Sequence, residues 1–404
     1  MAVSPTGVSV AAARRARLAV ALTFAANGSL FGSWAPRVPE VKALLGLSDG
    51  VLGLALLAPG AGSLITLPLA GGIAARWGSG RTTRWALPLF FASSLLIAWA
   101  ARPGGNAAEL FGALFVFGAA MGALDVLMNA QGVTVEQAYG RSVLSSFHAV
   151  FSLGALGGTV IGSLAAGWHI PLVAQFGVLG AAWLVVVLPV ARGFLPDPPV
   201  PEDAAPTPVF ALPRGPLVPL AIAAFAVLLA EGSTADWSAV LLRDSLGAGP
   251  AAAGAAFAAF SATMTLGRLV GDRVLTRLGR RRAVRLFAGF GATGLAAGLL
   301  VAELTAGSSV AVVAAVAGFL LLGAGISITF PALLAEAGVT GPRAAPALAA
   351  VSSGGYLGFL VGPTVIGGLA ELTSLGVAIW FVALVAAAPV VLVRRRRVAP
   401  GSTS

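Results

Sequence analysis

The chain has 404 residues, 58% of them hydrophobic and only 10% charged, with a mean hydropathy of +0.94. Soluble domains carry about 25% charged residues, so water is excluded as the solvent for most of this surface. The net charge of +10 would suit nucleic acid, but the arginines gather at the ends of apolar runs (Arg14, Arg15, Arg17; Arg76, Arg81, Arg84; Arg277 to Arg285; Arg394 to Arg397), where a membrane protein keeps its cytoplasmic loops.

Crossing a hydrocarbon core of about 30 Å takes about 20 apolar residues, and the chain supplies about twelve such runs. The basic start followed by Leu18-Ala19-Val20-Ala21-Leu22 could be a signal peptide. The apolar run continues past Asn27 to Trp34, so no cleavage is expected. The apolar pattern predicts helices over about 18–36, 49–75, 84–101, 107–130, 143–167 and 171–191. Prolines and acids between Arg192 and Pro216 forbid a helix and predict a cytoplasmic linker. Six more helices are predicted over about 217–240, 250–276, 283–302, 309–335, 344–370 and 374–393. The expected organisation is an all-α membrane protein with a first six-helix bundle at 1–191, a linker at 192–216 and a second bundle at 217–404. An even number of crossings, with arginines at the shared ends, places both termini in the cytoplasm.

The halves resemble each other. Setting Arg76-Trp77-Gly78 on Arg277-Leu278-Gly279 gives an offset of 201 residues, which also pairs Gly46 with Gly247 and Gly53 with Gly254. A repeat of half the chain length means one half-molecule used twice. Gly154, Gly158 and Gly162 in the fifth run are matched by Gly354, Gly358 and Gly362 in the eleventh. Their four-residue step forms a stripe that lets another helix approach closely.

Several chemistries are excluded. With no cysteine there can be no disulfide, iron–sulfur cluster or thiolate metal site. His148 and His169 are too few for a multi-histidine metal site. Lys42, followed by Ala43, is the only lysine, so no phosphate-binding loop ending in Lys-Ser or Lys-Thr exists. The nucleophile motif G-x-S-x-G is missing. Neither a cofactor nor an enzymatic activity is expected.

The informative residues are polar ones inside apolar runs, since an ionisable group at the bilayer centre costs about 2.5–3.5 kcal/mol on insertion scales. Asp125 and Asn129 lie four residues apart on one helix face, and Asn27 and Trp34 share another. The seventh run carries Glu231, Asp236 and Trp237; His148 begins the fifth, and Tyr356 lies in the eleventh. These residues are expected to line a water-filled cavity between the halves, with Asn27, Trp34, Asn129, His148, Trp237 and Tyr356 contacting the solute. Burial disfavours the charged form of a carboxyl, so Asp125, Glu231 or Asp236 could take a proton on one side and release it on the other. Arg268 is expected to snorkel to the headgroups.

The stretch from Gly267 to Gly279 and its echo from Pro68 to Gly78 resemble the G-x-x-x-D-[RK]-x-G-[RK] loop signature of the major facilitator superfamily. Asp125-Val126-Leu127-Met128-Asn129-Ala130-Gln131-Gly132, Ser146-Phe147-His148 and Glu231-Gly232-Ser233-Thr234-Ala235-Asp236-Trp237-Ser238 resemble a bacterial branch related to the fucose permeases. The resemblance covers essentially the whole chain. It implies two pseudo-symmetric six-helix bundles, each a pair of inverted three-helix repeats, rocking around a central site, and it adds Gln131 to the solute-binding candidates.

The signature acid is replaced by Ala75 in the first copy and Thr276 in the second. A cytoplasmic gate is therefore expected from Arg76, Gly78 and Arg81, with Gly271, Asp272, Arg273, Arg277 and Gly279. Glu136, Arg141, Glu336 and Arg343 would complete its charge network. Fucose permeases carry a carboxylate where this chain has Asn27. The resulting expectation is a monomeric secondary transporter of a bacterial plasma membrane, moving a small polar, sugar-like solute with protons. The alternative is a proton/drug antiporter.

Overall fold

In the computed structural model, residues 8–140, 143–197, 212–340 and 344–393 are described. Twelve helices are long and apolar enough to cross a bilayer: α1 (Val10–Leu44), α2 (Asp49–Trp77), α3 (Ser79–Ala100), α4 (Ala107–Tyr139), α5 (Ser146–Gly167), α6 (Leu172–Gly193), α7 (Gly215–Ser245), α8 (Pro250–Gly271), α9 (Arg280–Leu304), α10 (Ser309–Gly338), α11 (Ala347–Leu372) and α12 (Leu375–Leu392). Among the described residues there is no β-strand. In hydrocarbon the backbone has no water to bond, so helices that satisfy their own N–H and C=O groups are the solution available to such runs.

The observed boundaries differ from the predicted ones where local chemistry intervenes. α1 begins at Val10, because the Ser9 side chain accepts from the Ala12 N–H and caps it. The helix then carries Arg14, Arg15 and Arg17 within its first turns. α4 runs on to Tyr139, where Gly140 at φ 62° supplies a left-handed cap that favours glycine. α10 breaks between Ile326 and Thr329: Pro331 has no N–H to return to residue 327, and the Ser327 hydroxyl turns back to the Ala324 carbonyl.

Packing repeats with the sequence. In the first six helices α1 packs on α5 and α6, α2 on α4, and α3 on α4 and α6. In the last six, α7 packs on α11 and α12, α8 on α10, and α9 on α10 and α12. Between the halves, α2 meets α11 and α5 meets α8, the same contact after six helices are added. The fold is two pseudo-symmetric six-helix bundles.

The glycine stripes close the tightest pairs. A Cβ built on Gly154, Gly158 or Gly162 would fall 2.0–2.4 Å from the carbonyl oxygens of Ala25, Ser29 and Ser33 on α1. On α11, a Cβ built on Gly354 or Gly358 would fall 2.8 and 2.1 Å from the carbonyl oxygens of Ala221 and Phe225 on α7, and one on Gly362 3.2 Å from the Ser233 hydroxyl. Only glycine permits this approach of backbones.

Candidate functional site

With twelve membrane-length helices among the described residues, the start of α1 and the end of α12 fall on one side of the molecule. Contacts between the bundles cluster toward the opposite side. There the Glu371 carboxylate of α11 accepts from the Gly50 N–H of α2 at 2.9 Å, and the Thr364 hydroxyl donates to the Gly53 carbonyl at 3.2 Å. Gly167 and Ser163 of α5 meet Ala251 and Gly254 of α8. Lys42, at the end of α1, completes this seal with ion pairs of 2.7 Å to Asp49 of α2 and to Asp244 of α7.

Toward the termini the seam holds a cavity of about 470 Å³. Its walls are His148, Ala149 and Ser152 of α5; Thr265, Arg268, Leu269 and Gly271 of α8, with Leu275 just beyond; and Ser327, Ile328, Phe330, Pro331 and Leu334 of α10. Deeper in the seam, Phe31 of α1 stacks near Phe151 of α5 and edge-on to Phe257 of α8, with centroids 6.3 and 6.5 Å apart. These rings join the two bundles below the cavity.

Arg268 corrects an expectation. It lines the cavity instead of reaching for headgroups, and its Nη2 donates to Glu231 Oε1 of α7 at 3.2 Å. It stands twelve residues before Arg280 on nearly continuous helix, about 18 Å at 1.5 Å per residue. That depth, beyond the reach of an arginine side chain, was the signal in the sequence. His148 rests edge-on against Phe24 at 5.3 Å and lies within electrostatic reach of Arg268.

The Asp125 side chain is exposed on α4, although protein surrounds it on most sides. Asn129 Nδ2 donates to its backbone oxygen at 2.8 Å and to Oδ1 at 3.2 Å, so the four-residue spacing does bring the pair together. Tyr356, exposed on α11, is within electrostatic reach of Asp125 across the bundles.

Other candidates are largely buried. Asn27 is buried, its Nδ2 on Met128 Sδ at 3.6 Å and its Oδ1 without a hydrogen-bond partner. Trp34 is buried, and Trp237 is fully buried with an unpartnered Nε1, as are the hydroxyls of Ser233 and Ser238. Asp236 is partly buried on the same helix. Gln131 is not brought to the crevice. Its Nε2 donates to Ser79 Oγ and the Leu195 carbonyl at 2.7 and 2.9 Å, and its Oε1 accepts from Leu195 N–H at 3.1 Å.

The described gate candidates contact the following partners. Arg76 lies over Trp77 and Arg81 over Trp85, while Arg273 and Arg277 are exposed. Glu136 accepts from the N–H groups of Val143 and Leu144 at 2.7 and 2.8 Å and caps the start of the fifth helix. Glu336 pairs with Arg281 at 2.7 Å. Gly78 and Gly279, equivalent in the repeat, both have positive φ, at 83° and 75°. Gly271 faces Ile328. Arg141 and Arg343 lie outside the described residues, as does the side chain of Asp272. One acid at this end escaped the sequence reading: Asp197, after α6, accepts from the Ser79 N–H at 2.5 Å and from the Ser79 hydroxyl, so it caps α3.

Residues 18–345 match the Major Facilitator Superfamily. An uncharacterised MFS-type transporter of Yersinia pestis is 38% identical over 366 residues, 90% of this chain and 91% of that protein. Membrane protein MosC of Rhizobium meliloti is 31% identical over 381 residues, 90% of this chain and 86% of that one. Among solved structures, a mutant of the nucleoside transporter NupG superposes with a TM-score of 0.72 at 16% identity, covering 94% of this chain and 98% of its own. The POT family transporter PepTSo gives 0.66 at 13% identity, covering 93% and 96%.

Proposed function

Because this chain belongs to the major facilitator superfamily of membrane transporters, we propose that it moves a small polar, hydroxyl-bearing solute across a bacterial plasma membrane by alternating access, coupled to protons. The observation that carries the reading is the asymmetric seam: bundles joined on one side, and a 470 Å³ cavity lined from both bundles on the other. Pockets of about 300–1,000 Å³ suit small molecules. The arginines at Arg14, Arg15, Arg17, Arg76, Arg81 and Arg280 to Arg282 assign the open side to the cytoplasm, which makes this the inward-facing state. The bacterial relatives agree with a plasma-membrane setting, and the likeness to a fucose-permease branch supports a hydroxylated solute.

The carboxyls divide the work. Asp125, bonded to Asn129 and within reach of Tyr356 of the other bundle, is the first candidate to carry a proton. Glu231 holds Arg268, so a proton on Glu231 would free the guanidinium. The unpartnered Asn27 Oδ1, Ser233 Oγ and Trp237 Nε1 each forfeit a hydrogen bond, at a cost of about 1–3 kcal/mol for such a group. Rocking the bundles would wet them, which gives these residues their place on the path in the outward-facing state. Arg76, Arg81 and their partners in the repeat would then close the cytoplasmic side.

Proteoliposomes with a trapped pH-sensitive dye test the coupling. Solute added to wild type should move protons, and Asp125→Asn should abolish that movement. An Asp125→Asn protein that accumulates solute under a pH gradient as wild type does would remove Asp125 from the role. The apolar wall of Leu269, Ile328, Phe330 and Leu334 keeps a drug/proton antiporter as the second reading. Proton movement evoked by lipophilic cations and by no polar solute would select it.

A further inference from the structure

The solute can be narrowed by the chemistry the cavity presents, on the reading that this seam is the transport path. Among the described residues, the cavity wall holds Arg268 and His148 as its ionisable groups, and none of Asp125, Glu231 and Asp236 belongs to it. The Arg268 guanidinium spends one nitrogen on Glu231 and keeps its remaining N–H donors, in the fork that matches a carboxylate. The hydroxyls are arranged the other way. Ser152 donates to the His148 carbonyl at 3.1 Å, Thr265 to Ser261 at 2.9 Å and Ser327 to Ala324 at 2.9 Å. Each has given its proton to its own helix and offers the cavity lone pairs alone.

We infer that the cavity takes a small organic anion, a carboxylate held on Arg268 with its hydroxyl or amine donors turned to Thr265 and Ser327. The apolar wall suits an organic body and excludes an inorganic ion as the main occupant. A neutral sugar would offer the guanidinium no charge partner when Glu231 lets go. A cationic solute would face the like charge of Arg268 directly. The solute carboxylate thus takes the place that Glu231 occupies in the structure.

The natural absence of cysteine makes the test direct. Full-length Ser152→Cys protein, purified in detergent, carries one thiol, on the cavity wall, and is treated with a charged methanethiosulfonate reagent. The probes are D-glucuronate, D-glucose and D-glucosamine, one ring in anionic, neutral and cationic forms, with benzoate against benzamide and inorganic phosphate alongside. At least one organic anion should slow labelling fivefold or more, while its neutral and cationic counterparts and phosphate do not. Arg268→Gln, added to Ser152→Cys, should erase the protection, and Arg268→Lys should restore part of it at an unchanged melting temperature. Free labelling with no anion more protective than its counterparts, or protection that survives Arg268→Gln, overturns the anion assignment and leaves the transport path standing. A thiol that does not react from water overturns the path itself, and the assignment with it.

Discussion

Lys42 Nζ lies 2.7 Å from Asp244 Oδ2, joining the end of α1 to the end of α7 across the two bundles. The same ammonium pairs with Asp49 at 2.7 Å, so the one lysine of the chain holds the side opposite the cavity shut. Its side chain is 15% exposed, against 20% and 34% for the two carboxylates, which leaves the clamp partly screened by solvent. Such partly exposed pairs are worth up to about 1 kcal/mol each. Lys42→Gln should therefore raise the population open on that side about fivefold. The check is a Thr364→Cys reporter at the α2–α11 contact, labelled from solution. An unchanged rate would show that the glycine contacts alone close the seam. High salt should act on wild type in the same direction.

Arg37 is a different case, with no exposed surface at all. Its guanidinium donates to Glu40 at 2.7 and 3.0 Å, to Gln175 Oε1 at 2.5 Å and to the Ile170 carbonyl at 2.9 Å, fastening α1 to the start of α6. Arg37→Ala removes a fully buried guanidinium with its four hydrogen bonds and leaves the Oε1 of the buried Gln175 unpaired, which for a buried acceptor costs about 1–3 kcal/mol. The melting temperature of the purified protein should fall steeply. It should fall less in Glu40→Gln, because Glu40 is partly exposed.

Gly158 and Gly157 are neighbours with opposite tolerance. A Cβ at Gly158 would sit 2.0 Å from the Ser29 carbonyl oxygen, whereas Gly157 faces nothing within 4 Å. Gly158→Ala should sharply reduce the yield of folded protein in size-exclusion profiles. Gly157→Ala should be neutral or slightly stabilising, because alanine is favoured over glycine in a helix by about 1 kcal/mol.

Asp197 caps α3 from a segment more than a hundred residues away in sequence, through the Ser79 N–H and hydroxyl. Gln131 joins the same knot at 3.2 Å. Loss of an N-cap costs about 0.5–2 kcal/mol, so Asp197→Ala should lower thermal stability by a modest amount that calorimetry can resolve. An Asp197→Ala protein with an unchanged melting temperature would mean that solvent replaces the cap.

Parts of the site could be read from residue spacing. Asp125 and Asn129 were expected on one face because four residues return a helix to nearly the same angle, and their hydrogen bond follows. The glycine triplets likewise announced where α1 and α7 are approached. Gln131 was drawn to the site by its place in a motif, yet its amide is spent on Ser79 and Leu195, partners 52 and 64 residues away. The depth of Arg268 on its helix argues against a headgroup contact, and the positions of α10 and Glu231 make it part of a cavity wall.

The number of crossings and the two-fold use of one half-molecule follow from the chain alone, because the cost of transferring a run into hydrocarbon is set residue by residue along it. Which end of the seam is shut, and which charge faces which, was decided by packing. Lys42 meets Asp244, and Gly50 meets Glu371, across separations of 202 and 321 residues. Pairings that distant depend on how rigid bundles lean on one another, and a change in that lean rearranges them without altering a single local preference.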